Sequence, residues 1–191
     1  MILPIYGYGH PVLRKKTIEI DKDYPDLDQL ITNMYETMYQ AHGIGLAAPQ
    51  VGLNIRLFII DATPLAEDEE YLDIKDELAI CKKVFINPKI LSRDGELWKF
   101  NEGCLSIPDI REDIKRLENI TIEYFDENWN KKTENFSDVR ARIIQHEYDH
   151  IEGILFTDLL SPLKKKLIKG KLANISKGKV DTEYRMKFST H

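Results

Sequence analysis

Residues 145–150 read QHEYDH, which places two histidines four positions apart with a glutamate directly after the first. On an α-helix, side chains at these positions lie one turn apart on the same face, so both imidazoles can reach a single metal ion. Glu147 would then stand beside a water molecule on that metal, where a carboxylate acts as a general base. The motif alone equally fits a salt-bridged amphipathic helix whose histidines pack in a core.

The residues around this motif predict a helix that begins near Ser137 or Asp138 and ends at Gly153. At about 100° per residue, one narrow stripe of this helix contains Val139, Ile143, His146 and His150. Burying two imidazoles on an apolar stripe without partners costs free energy. The stripe therefore favours metal binding over simple packing.

A catalytic metal site needs three protein ligands and one open position. The frame H-E-x-x-H-x-x-G-x-x-H would supply a third histidine, but Phe156 occupies that place. Cys81 is flanked by apolar residues and lysines, where an isolated thiol is more often packed than ligating. Cys104 lies in EGCLS (102–106), in a turn after a predicted strand that can hold a thiolate. We therefore take Cys104 as the third ligand.

Residues 43–50 read GIGLAAPQ, directly after a predicted helix. The glycines allow the backbone to approach another chain closely, and Gln50 offers a neutral amide donor to a developing oxyanion. On its own, such a segment is also typical of a helix C-cap followed by a loop. Its combination with the other two motifs is what points to a site.

The apolar pattern predicts one helix over 26–42 and strands over 56–61, 84–91, 96–100, 118–125 and 131–136. The acidic segment 61–83 is predicted to be a solvated surface loop. Strands between two helices indicate an α+β fold, with mainly antiparallel sheets packed around a central HExxH helix, an N-terminal helix and a C-terminal basic helix or tail. We expect one catalytic domain over 1–160 and the basic helix or tail over 161–191.

Composition sets the remaining limits. A chain of 191 residues with 42% hydrophobic content is expected to bury one core. Two cysteines are too few for a disulfide framework and are typical of a reducing compartment. Because neither a leader peptide nor a membrane span is visible, we expect an unprocessed, soluble, cytoplasmic protein with no membrane partner.

The net charge of −5 hides an asymmetry between the body of the chain and its last part. Residues 161–191 carry nine Lys or Arg against two acidic residues, a net +7, which leaves −12 for the rest. A basic tail can bind nucleic acid or an acidic surface, although a solvated, partly disordered terminus fits equally well.

GIGLAAPQ, EGCLS and QHEYDH, in this order and spacing, resemble the motifs of the peptide deformylases. The likeness extends to ILPIYGYGHPVLRK near the start and to HIEGILFTDLLSPLKKK after the last motif, so it covers nearly the whole domain. It implies a metal-dependent hydrolase that removes the formyl group from the N-terminal formyl-methionine of nascent polypeptides and releases formate. In that reaction, metal-bound water attacks the formyl carbon.

The resemblance also implies the roles of individual residues. The implied metal ligands are Cys104, His146 and His150. Glu147 would be the general acid/base, while Gln50 and the backbone N–H of Leu105 would hold the oxyanion of the tetrahedral intermediate.

For the substrate, the resemblance implies a peptide that pairs with Gly45 as an added strand. Ile44 and Ile143 are candidates for the pocket of the methionine side chain. Arg111 would meet the peptide chain, although a rim arginine paired with a nearby acid is an equal alternative.

Two features concern the surroundings of the ligands. Glu102 and Arg116 resemble a family ion pair that steadies the Cys104 turn. Arg142 departs from the apolar residue that many relatives keep in the pocket, which leaves the depth and polarity of the methionine pocket open.

Two imidazoles and a thiolate suit Zn²⁺ by ligand preference, whereas the resemblance implies native Fe²⁺, with Zn²⁺, Ni²⁺ or Co²⁺ able to substitute. The expected partners are an N-formyl-methionyl peptide and the ribosome, the latter through the basic C-terminal tail, and the expected state is a monomer. Two alternatives remain: a zinc-dependent peptidase acting on unformylated peptides, and a non-catalytic ribosome-associated binding module. Glu147 and Gln50 argue against the second, because a structural metal site needs four protein ligands and no base.

Overall fold

A computed structural model describes residues 1–189 of the chain. The strands are β1 (Ile5–Tyr6), β2 (Gly45–Ala47), β3 (Leu57–Asp61), β4 (Lys82–Cys104), β5 (Ile107–Phe125), β6 (Lys131–Phe136) and β7 (Met186–Lys187). The helices are α1 (Leu27–Gln40), α2 (Lys75–Ala79), α3 (Asp138–Ile151) and α4 (Pro162–Ser176). Five strands form an antiparallel sheet in the order β2-β3-β4-β5-β6. The prediction of mixed helices and antiparallel sheet is confirmed.

Strand β3 shows how the sheet and the two long helices form a core. All five of its residues are buried, and the four apolar ones alternate between two apolar clusters. Leu57 and Ile59 pack in the cluster that contains the buried face of α1, whereas Phe58 and Ile60 pack in the cluster that contains the buried face of α3. Because successive side chains of a strand point to opposite faces, an uninterrupted apolar run is what a strand covered on both sides requires. Helix α3 is thereby fixed against the sheet.

The two strands predicted over 84–91 and 96–100 form one strand, so the predicted break between them is wrong. Strand β4 runs from Lys82 to Cys104 and pairs with β5, with register shifts that take up the additional residues. The polar stretch SRDGE suggested a turn, but irregular pairing accommodates it within the ladder. Gly95, at φ +83°, adopts the left-handed conformation that this irregularity needs. The long hairpin places Cys104 at the far end of β4.

The acidic segment 61–83 is more structured than the predicted solvated loop. It contains two short 3-10 segments and helix α2. Ala66 and Leu78 are buried in the same cluster as Phe58, while most of the acidic side chains stay at the surface. A few buried apolar residues anchor the segment to the core. The many acidic residues around them led to the prediction of a solvated loop.

The basic C-terminal segment contains a helix and a strand. Helix α4 buries Ile168 and Ile175, and the chain then returns so that β7 pairs in parallel with β1. Residues 190 and 191 of the predicted tail lie outside the described residues, and the division of the chain at residue 160 stays a prediction. Within residues 1–189, the helices lack the combination of length and apolar character that a membrane-spanning segment needs.

Candidate metal centre

Helix α3 and the end of strand β4 bring together the three side chains predicted to bind a metal. The rings of His146 and His150 lie on the same side of α3, with centroids 5.1 Å apart. Cys104 approaches from β4, with its Sγ 3.3 Å from Nε2 of His150. One donor atom from each of the three residues lies within 4.8 Å of the others.

The donor set fits a divalent transition metal. A tetrahedral ion with metal–sulfur and metal–nitrogen bonds of about 2.3 and 2.1 Å holds its sulfur and nitrogen ligands about 3.5 Å apart. The 3.3 Å separation of Cys104 Sγ and His150 Nε2 is close to this value. Thiolate and imidazole are the ligands that ions such as Zn²⁺ and Fe²⁺ accept, and three of them leave a coordination position open.

Glu147 lies beside these residues without a partner of its own. Its side chain is 4% exposed, and within residues 1–189 its Oε2 is buried and makes no hydrogen bond. Burial raises the pKa of Glu147 to about 7. A Cβ placed on Gly45 would lie 2.8 Å from Cδ of Glu147, so only glycine leaves room for the carboxylate. Such a carboxylate can exchange protons with a neighbouring molecule near neutral pH.

Gln50 is buried with its amide oriented towards the Cys104 turn. Its Oε1 accepts a hydrogen bond of 2.8 Å from the N–H of Ala47, which directs the Nε2 donors the other way. Nε2 lies 3.6 Å from Cys104 Sγ and 3.3 Å from Ser106 Oγ. Ser106, which the sequence analysis did not single out although it belongs to EGCLS, is therefore part of the site.

Leu105 lies in the turn between β4 and β5, next to Cys104. Within residues 1–189, its N–H donates no hydrogen bond to the protein, whereas its carbonyl accepts one of 2.8 Å from the hydroxyl of Tyr184. The turn therefore presents a free donor beside the three metal-binding side chains.

A cavity of about 480 Å³ opens onto the centre. The four residues predicted to contact the substrate all line it: Ile44, Gly45, Arg111 and Ile143. Arg111 donates hydrogen bonds of 2.9 and 2.7 Å to the side chain and the carbonyl of Asn101. Within residues 1–189 its partner is therefore Asn101 and not an acid, and its contact with the peptide stays a prediction.

Behind the histidines lies a group of four charged side chains, which we call the buried ion network: Glu102, Arg116, Arg142 and Asp149. Arg116 donates two hydrogen bonds to Glu102, at 2.8 and 3.0 Å, and one to Asp149 at 2.6 Å. Glu102 also pairs with Nδ1 of His146 at 3.0 Å, which leaves Nε2 of that ring available to a metal. Burial alone would raise the pKa of Glu102, but the hydrogen bonds from His146 and Arg116 hold it far below its usual value.

Arg142 belongs to this network although it also lines the cavity. It is 2% exposed and donates a hydrogen bond of 3.0 Å to Glu102. Two backbone carbonyls, those of Trp98 and Ile114, accept further hydrogen bonds, and the guanidinium lies 4.4 Å from the centre of the Trp98 ring. The sequence left open how polar the pocket is near Arg142. The structure pairs the positive charge of Arg142 with Glu102.

The family model for polypeptide deformylase matches residues 2–166. The chain is 63% identical over 189 residues to a peptide deformylase of Christiangramia forsetii, covering 98% of this chain and 96% of the relative. It is 60% identical over 190 residues to a peptide deformylase of Flavobacterium johnsoniae, covering 99% and 97%. A solved peptide deformylase from Legionella pneumophila superposes with a TM-score of 0.78 at 34% identity, covering 94% of this chain and 98% of that one. Another, from Thermus thermophilus, gives 0.79 at 37%, covering 93% and 99%.

Proposed function

The chain belongs to the polypeptide deformylase family, and from that premise we propose which residues carry out its reaction. It is a metal-dependent enzyme that removes the formyl group from nascent polypeptides. The observation that carries the assignment of roles is the convergence of Cys104, His146 and His150, with the unpartnered carboxylate of Glu147 beside them. Neither a peptidase nor a non-catalytic module is favoured by the comparisons.

In the proposed site, Cys104, His146 and His150 hold the metal. A bound divalent metal supplies a Lewis acid that can bring the pKa of a water molecule to about 7. The Glu102–His146 hydrogen bond supports this assignment, because it fixes which ring nitrogen faces the metal. Fe²⁺ is the proposed native ion, and Zn²⁺, Ni²⁺ or Co²⁺ is expected to substitute.

Glu147 moves the proton in the proposed reaction. Its carboxylate takes a proton from the attacking water as the new carbon–oxygen bond forms, and later delivers it to the leaving amine nitrogen as the carbon–nitrogen bond breaks. Formate and a free N-terminus are the products. The buried Oε2, which has no hydrogen-bond partner within residues 1–189, supports this role because it is free to accept that proton.

Gln50 and the N–H of Leu105 are the proposed donors to the oxyanion. Both are neutral, and the orientation of Gln50 is fixed before substrate arrives by the hydrogen bond from Ala47. Donors that are already oriented stabilise a developing charge without reorganisation, which is why they contribute strongly to catalysis.

We place the peptide as an added strand along β2, pairing with Gly45. Strand β2 is at the edge of the five-stranded sheet and hydrogen-bonds to β3 on one side only, which supports this placement. Ile44 and Ile143, both in the cavity wall, would contact the methionine side chain, with Arg111 near the rim. A tight space at the reacting carbon would admit a formyl hydrogen and exclude larger acyl groups.

We also propose that α4 contacts the ribosome. Leu163 and Leu167, one turn apart, are 68% and 73% exposed, and exposed lysines flank them. One cation of the helix, Lys164, is already paired with Glu112, so the contact would rely on the others. An apolar strip bordered by lysines suits a partner with both apolar and anionic surface. We expect the enzyme itself to act as a monomer.

The decisive experiment measures formate release from formyl-Met-Ala-Ser, with Met-Ala-Ser as the control for peptide cleavage. Deformylation that a chelator abolishes, with no cleavage of the unformylated peptide, is expected. Cleavage of Met-Ala-Ser would instead identify a peptidase, and formate release that survives the chelator would contradict a metal-dependent site.

The identity of the metal needs a separate measurement. Elemental analysis of protein purified without oxygen is expected to find iron, and the activity should decay in air. An air-stable, fully active preparation that contains only zinc would contradict the proposal of Fe²⁺.

A further inference from the structure

The segment that follows α4 pairs with β1 and contacts the turn next to Cys104. Strand β7 pairs with β1, and the N–H groups of Ile5 and Gly7 donate to the carbonyls of Arg185 and Lys187 at 2.8 and 2.9 Å. Phe188 packs in the apolar cluster that also contains Tyr8 and Cys104. Residues 177–189, which we call the C-terminal strap, are therefore fixed to the first residues of the chain.

Tyr184 joins this strap to the turn. The ring is half-buried, and its hydroxyl donates a hydrogen bond of 2.8 Å to the carbonyl of Leu105. The adjacent carbonyl, that of Ser106, accepts a hydrogen bond of 2.8 Å from the N–H of Tyr8. The chain near β7 thus holds the carbonyl of Leu105, and the chain after β1 holds the carbonyl of Ser106.

The hydrogen bond from Tyr184 restricts the direction of the Leu105 N–H. The N–H and the carbonyl of Leu105 belong to successive peptide planes that share its Cα, and each plane is rigid. With the carbonyl anchored and Cys104 held at the end of β4, the turn has little freedom to change the direction of that N–H. An oxyanion donor must be oriented in this way before the charge develops.

We propose that Tyr184 is a positioning residue for the oxyanion hole, acting through the carbonyl of Leu105. The proposal rests on the role proposed above for the Leu105 N–H. Within residues 1–189, Tyr184 is neither in the cavity wall nor among the three candidate metal ligands, and its side-chain hydrogen bond is the one to Leu105. It also gives the C-terminal strap a function that its basic composition does not suggest.

The test is Tyr184→Phe, which removes only the hydroxyl. We expect kcat for formyl-Met-Ala-Ser to fall about 3- to 10-fold, as the loss of one neutral hydrogen bond would produce, with KM and metal content unchanged. Amide hydrogen exchange of the peptide that contains residues 103–106 should become faster in the same variant. Tyr6→Phe is the matched control, because Tyr6 lies on β1 and, within residues 1–189, its hydroxyl makes no hydrogen bond.

Each other outcome overturns the proposal. An unchanged kcat, or a change in KM alone, would mean that Tyr184 does not orient the oxyanion donor. Loss of metal or a much lower melting temperature, with exchange at 103–106 unaltered, would show a purely structural role. Gln50→Leu distinguishes the role of the oxyanion donor from the role of Tyr184. If Gln50→Leu slows turnover while Tyr184→Phe does not, the oxyanion role of Gln50 is supported and the positioning role of Tyr184 is refuted. A parent protein that releases no formate would refute the proposed function itself.

Discussion

The candidate site contains buried charged side chains of two kinds, which differ in whether they have partners. In the buried ion network, Glu102 accepts hydrogen bonds from two arginines and pairs with His146, and Arg116 bridges Glu102 to Asp149. Glu147 lines the same cavity and is equally buried, yet within residues 1–189 one of its oxygens has no partner at all.

This difference distinguishes side chains that support the candidate metal ligands from a side chain that is available for the reaction. A buried charge without a partner is costly, so a protein retains one where a ligand or a reaction step will supply the partner. The buried ion network contains two carboxylates and two guanidiniums, so its charges balance. Through Glu102 it holds the ring of His146 in one orientation. Changes at Glu147 or at the proposed oxyanion donors should therefore alter the rate, and changes in the buried ion network should alter stability and metal affinity.

The largest effect is expected from Glu147→Gln. The amide keeps the shape of the side chain but cannot accept the proton, so turnover should fall by about 10³-fold or more. Metal content, measured by elemental analysis of the same samples, should equal that of the parent. Retained formate release would contradict the role assigned to Glu147. Loss of metal would show that Glu147, like the buried ion network, supports metal binding.

Gln50→Leu should have the next largest effect. Removing one donor from an oxyanion hole lowers kcat by about 10²-fold, and the metal should stay bound because Gln50 is outside the donor set. Steady-state kinetics with the formylated peptide measures the change, and Gln29→Leu, at an exposed position of α1, is the control. Equal kinetics in the two variants would remove Gln50 from the mechanism.

Glu102→Gln tests the buried ion network. It leaves the buried ion network with an excess positive charge, so the free energy of unfolding should fall by about 3 kcal/mol. Metal affinity should fall about 10- to 100-fold because His146 loses its anionic partner. Denaturant unfolding and metal titration measure these effects. Glu123→Gln, which removes a half-exposed partner of Lys131, should change neither quantity appreciably. A stable Glu102→Gln variant with parental metal affinity would show that the network is dispensable.

The smallest effect on catalysis is expected far from α3. Replacing the exposed Lys165, Lys166 and Lys169 by glutamine should leave deformylation of a short peptide unchanged. Ribosome affinity should weaken, and the slope of log affinity against log salt should drop by roughly 0.9 per lysine if each neutralises one phosphate. Co-sedimentation at several salt concentrations measures this. Unaltered binding would assign α4 a structural role only.

The sequence predicted the local features of the candidate site well. The spacing of His146 and His150 is a helix property, so the face they share follows from the sequence alone. EGCLS correctly marked a strand end, although β4 extends through Cys104 and the turn begins only at Leu105. The apolar run of β3 also agrees with the burial of this strand on both faces. The break predicted inside β4 was wrong because pairing with β5, not local composition, carries that strand across SRDGE.

Contacts between distant residues could not be predicted from the sequence. Arg142 was predicted to lie next to the pocket, but its pairing with Glu102, 40 positions away in the sequence, depends on how β4 and α3 pack. Asp149 and Tyr184 escaped notice for the same reason, because their partners Arg116 and Leu105 lie 33 and 79 positions away. No periodicity encodes such pairs, and only the assembled fold reveals them.

The hydrogen bond between Tyr184 and Leu105 can form only late in translation. Ribosomes add residues from the N-terminus onward, and segments can begin to fold as they emerge. A growing polypeptide contains Cys104, His146 and His150 well before it contains Tyr184. Molecules released early by premature termination would therefore possess every donor to the metal and still lack the last contact on the turn beside it.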